Sequence, residues 1–490
     1  MLVWVTEQNT SLSLFQDRIS ELPDDILVEC LSLLEMKNAA QTSILSKRWR
    51  YLSTYLTCLD FDADVMYPEQ AATYWKNHGY EISRYFGWVN QVVCMHQSPS
   101  IDKFRVYSTF VSGYGTQLNK WVKFAFSKQV KELVLNLDGI QMKRTDCPKE
   151  GFPLGLDILS HPPCLSGIRA LRSLHLCYVN VSQEFIEFVL SHCLHLERLY
   201  LHSAPLLSNL KVKTSKLKYF TIITSFCDFN LLEIDAENLL YFEYQDKRRE
   251  SSGPCMVFKT LPMLVETCFH GGLCVYPFPI FHTLSLFCNQ LCKLSLRIEH
   301  DYCEELVIPD GVVPIFTQLK HFTCTIDCRD YTCILSMKRF IEACPMLEEF
   351  KLQVAFMGGR QRKFEEANEL QGIVLEDEHE NGEATNSEIS QFREAKVENM
   401  NEEKQTHKNL KTLEIVGFLG ASCDVQLALA IVSYASSLET IICDPQALRY
   451  SGTPYGFFND SWREYDVAKS KRRALKLSKI VAPMVKVVII

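Results

Sequence analysis

The sequence predicts a mixed α/β protein: a small three-helix module at the N-terminus, then a curved solenoid of strand-and-helix repeats, then a C-terminal cap. Three observations predict it. The chain has 490 residues, 47% hydrophobic and 22% charged, which is globular in composition and too long for one ordinary compact domain. The first sixty residues carry apolar side chains at helical spacing. Most of the remainder carries one short apolar pattern that recurs every 21 to 28 residues.

Residues 1–16 are read as a disordered tail. Met1 to Val5 has no basic region and Glu7 follows early, which argues against a secretory signal, so an intracellular chain in the nucleus or cytoplasm is expected. The twenty cysteines are scattered, so they read as small hydrophobes rather than a disulfide framework. Residues Thr267 to Cys292 hold no Asp, Glu, Lys or Arg, yet Gly271, Gly272, Pro277 and Pro279 interrupt them. Buried strands and turns are expected there instead of a membrane helix.

The helical module spans residues 17–60. Ser20 is the expected N-cap, with Pro23 in the first turn. Leu22, Ile26, Leu27, Cys30, Leu31, Leu33 and Leu34 recur at helical spacing. A break follows at Met36-Lys37-Asn38, then a second helix with Ala39, Ala40, Ile44, Leu45, Trp49 and Leu52. Helices this few and short cannot bury every apolar face, so the surplus is available to a partner. The runs Leu22-Pro23-Asp24-Asp25-Ile26-Leu27, Cys30-Leu31-Ser32-Leu33-Leu34 and Ser43-Ile44-Leu45-Ser46-Lys47-Arg48-Trp49-Arg50-Tyr51-Leu52 resemble the F-box in its plant style. The resemblance implies docking to the Skp-type adaptor of cullin-based SCF ubiquitin ligases. Leu22, Pro23, Ile26, Leu27, Leu31, Leu34, Leu45 and Trp49 would form or support the adaptor-facing surface. Cys30, where that family usually has an aliphatic residue, and Glu35-Met36, where a Pro usually starts the turn, depart from the pattern.

Residues 61–357 are read as the solenoid. The pattern apolar-x-x-apolar-x-apolar begins at Leu171, Leu196, Leu217, Leu239, Leu291, Leu319, Leu347, Leu410 and Leu438, with weaker copies at Ile101 and Val130. Its period and alternation are those of leucine-rich repeats, each a short strand plus a helical return, as at Ser182–Cys193 and Met337–Ala343. One such unit cannot bury its apolar side alone, so neighbours stack, and the strands line one concave face. Arg172, His175, Arg198, Tyr200, Lys218 and Lys293 are the candidate target-binding positions on that face. Cys193 and Cys344 hold the same place before a strand and read as buried spacers. Cys324, Cys328 and Cys333, like His192, Cys193 and His195, lack the paired spacing of a zinc site, so no metal is expected.

Residues 358–406 interrupt the array as an acidic, disordered insert. Glu365 to Glu403 holds thirteen acidic and two basic residues, too charged and too poor in apolar residues to order itself. Residues 407–490 carry the last repeats. Asn409 to Phe418, Leu427 to Ala435 and Ser437 to Pro445, with a helix at Lys469–Lys479 and a strand at Val485–Ile490, resemble the FBD region that follows the repeats in many plant F-box proteins. The resemblance implies a cap on the solenoid's end. Lys469, Lys471, Arg472, Arg473 and Lys476 are read as the wet face of that helix before a nuclear signal.

Neither a phosphate loop, a nucleophile elbow nor a zinc-protease helix appears, so no catalytic residue and no cofactor is expected. Net charge −8 without a basic stripe argues against nucleic-acid binding. Two readings stand. In one the chain is the receptor of an SCF-type ligase, joined to a cullin through the adaptor and holding a protein target on its repeats. In the other it is a ligase-independent scaffold with a drifted F-box.

Overall fold

The computed structural model describes residues 19, 21–66, 79–108, 114–137, 152–204, 207–225, 229–246, 254–271, 279–299, 311–328, 337–356, 406–420, 422–445, 464–481 and 484–490. The tail 1–16 and nearly all of the acidic insert lie outside them. The chain divides into two compact units, Met1–Leu196 and Glu197–Ile490.

The first unit opens with α1 (Asp24–Ser32), α2 (Met36–Gln41), a 3-10 turn at Thr42–Ile44 and α3 (Lys47–Leu52). The second helix expected from sequence is therefore two helices. Met36, assigned to the break, starts α2 and is buried with Ala39. Pro23 is the N-cap of α1, Asp24 and Asp25 in its first turn complement the helix dipole, and Ser20, the cap expected from sequence, lies outside the described residues. Ser46 caps α3 by accepting from the Trp49 N–H at 3.3 Å. Arg48 ties α3 back to α1, donating to Asp24 at 2.7 Å and to the Leu22 carbonyl at 2.6 Å.

The unit continues through β1 (Cys58–Asp62), α4 (Ala63–Met66), α5 (Gly79–Met95), β2 (Lys103–Tyr107), α6 (Gly115–Ser127), β3 (Glu132–Asn136), β4 (Phe152–Leu154), α7 (Pro162–Gly167), β5 (Ser173–Cys177), β6 (Val179–Val181) and α8 (Gln183–His192). Strands β1, β2, β3 and β5 pair in parallel in that order. Their register stacks Leu59, Phe104, Leu133 and Leu174 in one fully buried row and Phe61, Val106, Leu135 and Leu176 in the next. Each such side chain contributes about 1.5–3 kcal/mol by leaving water. The β1 strand begins at Cys58, inside the stretch assigned to the helical module. Leu56 just before it, with Leu59 and Phe61 on it, repeats the same apolar pattern. Ser182 caps α8 through the Phe185 N–H at 3.2 Å.

The second unit contains β7 (Arg198–His202), β8 (Asn209–Lys213), β9 (Tyr219–Thr224), β10 (Leu231–Asp235), β11 (Tyr241–Asp246), β12 (Cys255–Phe258), β13 (Glu266–His270), α9 (Pro279–Ser285), β14 (Lys293–Glu299), β15 (His321–Cys328), α10 (Lys338–Glu342), β16 (Glu349–Phe356), β17 (Thr412–Val416), α11 (Ser422–Tyr434), β18 (Thr440–Asp444), α12 (Glu464–Val481) and β19 (Lys486–Ile489). Strands β7, β9, β11 and β13 to β19 pair in parallel in that order. Phe220 and Phe242 lie in successive turns of the core with ring centroids 5.6 Å apart, and Phe322 and Phe350 do the same at 5.4 Å. These parallel ladders of short strands, each returned through a spacer, are the arrangement of a repeat solenoid.

Two expectations are corrected here. Between β7 and β13 the returns are strands rather than helices, and β8, β10 and β12 form a second parallel sheet. Spacers in this stretch are among the shortest of the array. Leu210 and Val212, then Leu232 and Ile234, alternate with polar residues and bury every second side chain. The interval from Leu239 to Leu291 also hides a repeat, β13. Thr267 stands where its neighbours have Phe242 and Leu294, so the apolar pattern is broken there.

After the insert, His407 restarts the array. It bridges to Ala435, its Nε2 lies 2.8 Å from the Cys344 carbonyl, and its Nδ1 accepts the N–H groups of Asn409 and Leu410 at 3.3 and 3.1 Å. Gly417 turns with φ +82° against the Val354 carbonyl, where a Cβ would lie 2.6 Å from that oxygen. The basic cluster of α12 is not simply a wet face. Lys476 is buried, and Arg473 donates to the Leu419 carbonyl at 3.3 Å while packing on Gly420.

Candidate docking surfaces

Helix α1 carries two apolar stripes. Leu27 and Leu31, four residues apart, point inward and are 0% and 1% exposed. Ile26 and Cys30 form the adjoining stripe, Leu33 and Leu34 follow just past the end of the helix, and all four are exposed, Leu33 at 83%. Ile44 and Leu45, at the corner between the 3-10 turn and α3, are exposed at 82% and 65%. Of 23 large hydrophobic residues exposed among the described residues, seven fall between Ile19 and Tyr51. Scattered exposed apolar residues are normal, but a concentration in so short a stretch marks an interaction surface.

The eight residues proposed from sequence for adaptor docking therefore separate. Pro23, Ile26, Leu34 and Leu45 are exposed, Leu22 and Trp49 half-buried. Leu27 and Leu31 belong to the interior, where they hold the helices that present the others. Leu33 and Ile44, outside that set of eight, are the most exposed members of the patch. A helix whose apolar residues occupy more than one stripe was the available signal.

The module is anchored to the first repeat. The Gln97 N–H donates to the Thr54 carbonyl at 2.9 Å, and His96, buried, lies 3.0 Å from the Leu56 carbonyl. Burial lowers the His96 pKa, so that ring is neutral at neutral pH.

The strand faces are the second candidate surface. In the first unit Arg105 on β2 holds Asp60 through both carboxylate oxygens, at 3.0 and 3.1 Å, and Asp62 at 3.0 Å, all on β1. His175 on β5 is half-buried, and burial, with Arg105 and Lys103 nearby, lowers its pKa to about 4. In the second unit Glu243 on β11 accepts from the hydroxyls of Thr221 at 3.1 Å and Tyr241 at 2.9 Å. His270 on β13 lies 3.2 Å from the Cys268 thiol. Burial and then Arg297 lower its pKa to about 4, and burial raises Cys268 to about 12. Neither partner of that pair is charged near neutral pH, so it is no thiolate–imidazolium couple.

Of the predicted face residues, His175, Arg198, Tyr200 and Lys293 lie on strands. Arg172 and Lys218 fall one residue before β5 and β9. Their N–H groups already join the preceding turn, at Lys131 and Glu197, which places them on the rim. Lys218 is also paired with Glu197 at 3.0 Å. Cys193 behaves as a spacer, its buried thiol donating to the Ile168 carbonyl at 3.1 Å with its pKa raised by burial to about 12. Among the described residues no group of three His, Cys, Asp or Glu is placed to hold a metal, and no helix is long and apolar enough to cross a membrane. Cys333 lies outside those residues.

Comparison with known proteins places these surfaces in a family. Residues 19–60 match the F-box domain, and residues 95–453 match the At1g61320/AtMIF1 LRR domain. An Arabidopsis thaliana chain named for an F-box, FBD and LRR repeats, At4g00315, is 27% identical over 365 residues, covering 69% of this chain and 78% of that one. The F-box/FBD/LRR-repeat protein At3g52680 of the same plant is 31% identical over 223 residues, 42% of this chain and 43% of its own length. The F-box/LRR-repeat protein At3g59200, also from that plant, is 31% identical over 253 residues, 47% of this chain and 46% of its own. The chain thus spans less than half the length of two of these relatives.

Proposed function

The chain belongs to the plant F-box/leucine-rich-repeat/FBD family, and on that basis we propose that it is the substrate-recognition subunit of an SCF-type ubiquitin ligase. F-box domains generally bind Skp-type adaptors. The observation that carries the reading is the outward stripe Ile26, Leu33 and Leu34 with Ile44 and Leu45, presented by a core of Leu27 and Leu31. An adaptor covering those five side chains would remove the largest concentration of exposed apolar surface in the described chain. Through the adaptor the chain would join a cullin scaffold, and the repeat faces would hold a protein target.

Catalysis in this arrangement is proximity. The receptor raises the effective concentration of a target lysine at a charged conjugating enzyme, and no residue of this chain makes or breaks a covalent bond. Neither a cofactor, a nucleic acid nor a membrane has a role, and the complex would act in the nucleus or cytoplasm. Residues 407–490 would act as an FBD-like cap, a role supported by the relatives that carry FBD in their names and by α12, β18 and β19 closing the ladder of strands.

The ligase-independent scaffold rests on Cys30, exposed within the outer stripe, and on Glu35 at the turn into α2. Mixing the full chain with a plant Skp-type adaptor and a cullin N-terminal domain separates the two readings. A stoichiometric ternary complex in size-exclusion chromatography is expected of the receptor. A folded chain eluting alone is expected of the scaffold.

A further inference from the structure

Among the described residues, several cations on the strands of the long ladders are held by acidic side chains. Lys103 faces Glu132 at 3.4 Å, Arg105 faces Asp60 and Asp62, Lys293 faces Glu266 at 3.9 Å, His321 faces Glu349 at 2.9 Å and Lys351 faces Glu414 at 2.7 Å. Arg198, the first residue of β7, is different. Its guanidinium lies over the ring of Tyr219 on β9, 5.0 Å from the centroid, and no carboxylate among the described residues approaches it. The neighbouring acid, Glu197, is engaged by Lys218. Arg198 is exposed, Tyr219 is 38% exposed, and Tyr200 and His202 continue the same face along β7 with their rings in edge contact at 6.3 Å.

A guanidinium stacked on an aromatic ring keeps its planar fork of donors free while losing part of its rotamer freedom. Arginine and tyrosine are also the residues on which interface energy concentrates. We propose that Arg198 and Tyr219, flanked by Tyr200, form the anchor of the target surface, and that the target segment they take carries an Asp or Glu carboxylate beside an apolar side chain. Charge complementarity sets this choice. The anchor offers one unshared cation and three tyrosine rings, counting Tyr241, which lies beside Tyr219 in register on β11. Tyr241 cannot serve as a second donor to that carboxylate, because its hydroxyl is committed to Glu243. The inference rests on the receptor reading for its biological setting, but the surface can be tested without it.

The test uses the full chain and a displayed library of random twelve-residue peptides, selected in parallel on the wild type and on Arg198→Ala, Arg198→Glu and Lys211→Ala, the last an exposed cation of the second sheet. Peptides recovered on the wild type and on Lys211→Ala are expected to be enriched in Asp and Glu next to an apolar residue. Arg198→Ala removes that enrichment, and Arg198→Glu turns it toward Lys and Arg. Synthetic peptides from the wild-type pool should bind about tenfold more weakly to Arg198→Ala, as expected for loss of a charge-assisted contact at a partly exposed site. Matching thermal unfolding curves establish that the variants are folded. No acidic enrichment on the wild type, the same enrichment on Arg198→Ala, or tighter binding of synthetic phosphoserine analogues than of the carboxylate peptides overturns the proposal. Adaptor binding is measured on the same samples. It is expected to be unchanged in every variant, so loss of peptide selection with intact adaptor binding refutes the anchor alone. Absent adaptor binding with intact peptide selection refutes the receptor reading alone.

Discussion

His407→Ala tests how the array is resumed after its interruption. Two backbone N–H groups point at Nδ1, so the ring must be the neutral tautomer with its proton on Nε2, donated to the Cys344 carbonyl. Alanine would leave the buried Leu410 N–H without a partner and the buried Cys344 carbonyl with the Leu347 N–H alone, and the half-buried Asn409 N–H would have to turn to water. At about 1–3 kcal/mol for a buried orphan, the substitution should cost about 1–3 kcal/mol before any cavity term. The loss should be local, because His407 joins the turn before β16 to the start of β17 and the end of α11. Urea unfolding followed by circular dichroism measures the total. Hydrogen exchange of the peptides covering 337–356 and 406–420 locates it, and those segments should exchange faster while 173–190 is unchanged. A cost below about 0.5 kcal/mol, the range of ordinary surface substitutions, would refute the reasoning.

Three further outcomes follow from the geometry. Gly271→Ala should destabilise the second unit by about 2 kcal/mol or more, measured by thermal unfolding, because φ is +94° there and the new Cβ would lie 2.0 Å from the Asp246 carbonyl oxygen. Leu27→Ala should cost about 2–5 kcal/mol of stability in the helical module by opening a core cavity, whereas Leu33→Ala should unfold like the wild type, since its side chain is 83% exposed. Stability should fall as pH drops from about 6.5 toward 4. His175 and His270 hold folded pKa values of about 4, below that of an unfolded histidine, so in this window the unfolded chain binds more protons. Replacing both with Gln should flatten the dependence in a pH series of urea titrations, and an unchanged slope would contradict the assignment.

The solenoid was legible because core positions repeat. Leu171, Leu174 and Leu176, and their counterparts in ten further copies, announce strands by spacing alone, and each precedes or lies on a parallel strand. Where a core position departs from the pattern, as at Thr267, the repeat disappears from view although the backbone still pairs. Short returns misled in another way. Leu210, Val212, Leu232 and Ile234 alternate as strands do, but the expectation of helical returns passed over them. On the helical module, composition identifies a surplus of apolar residues without saying which stripe faces inward. Leu27 and Leu33 are equally leucine, and only packing separates them. The pairing of Arg198 with Tyr219 spans 21 residues and depends on the register of β7 against β9, which no local pattern encodes.

Docking of a Skp-type adaptor on the outward apolar residues of the helical module can be measured by titration calorimetry. The wild-type chain is titrated with a plant Skp-type adaptor beside Leu33→Ala/Ile44→Ala, a double variant that should unfold like the wild type because both side chains are more than four-fifths exposed. Sub-micromolar binding is expected of the wild type and a loss of about a hundredfold in the variant, from two apolar anchors at about 1–2 kcal/mol each. Equal affinities, or no binding by a folded wild-type chain, would contradict it.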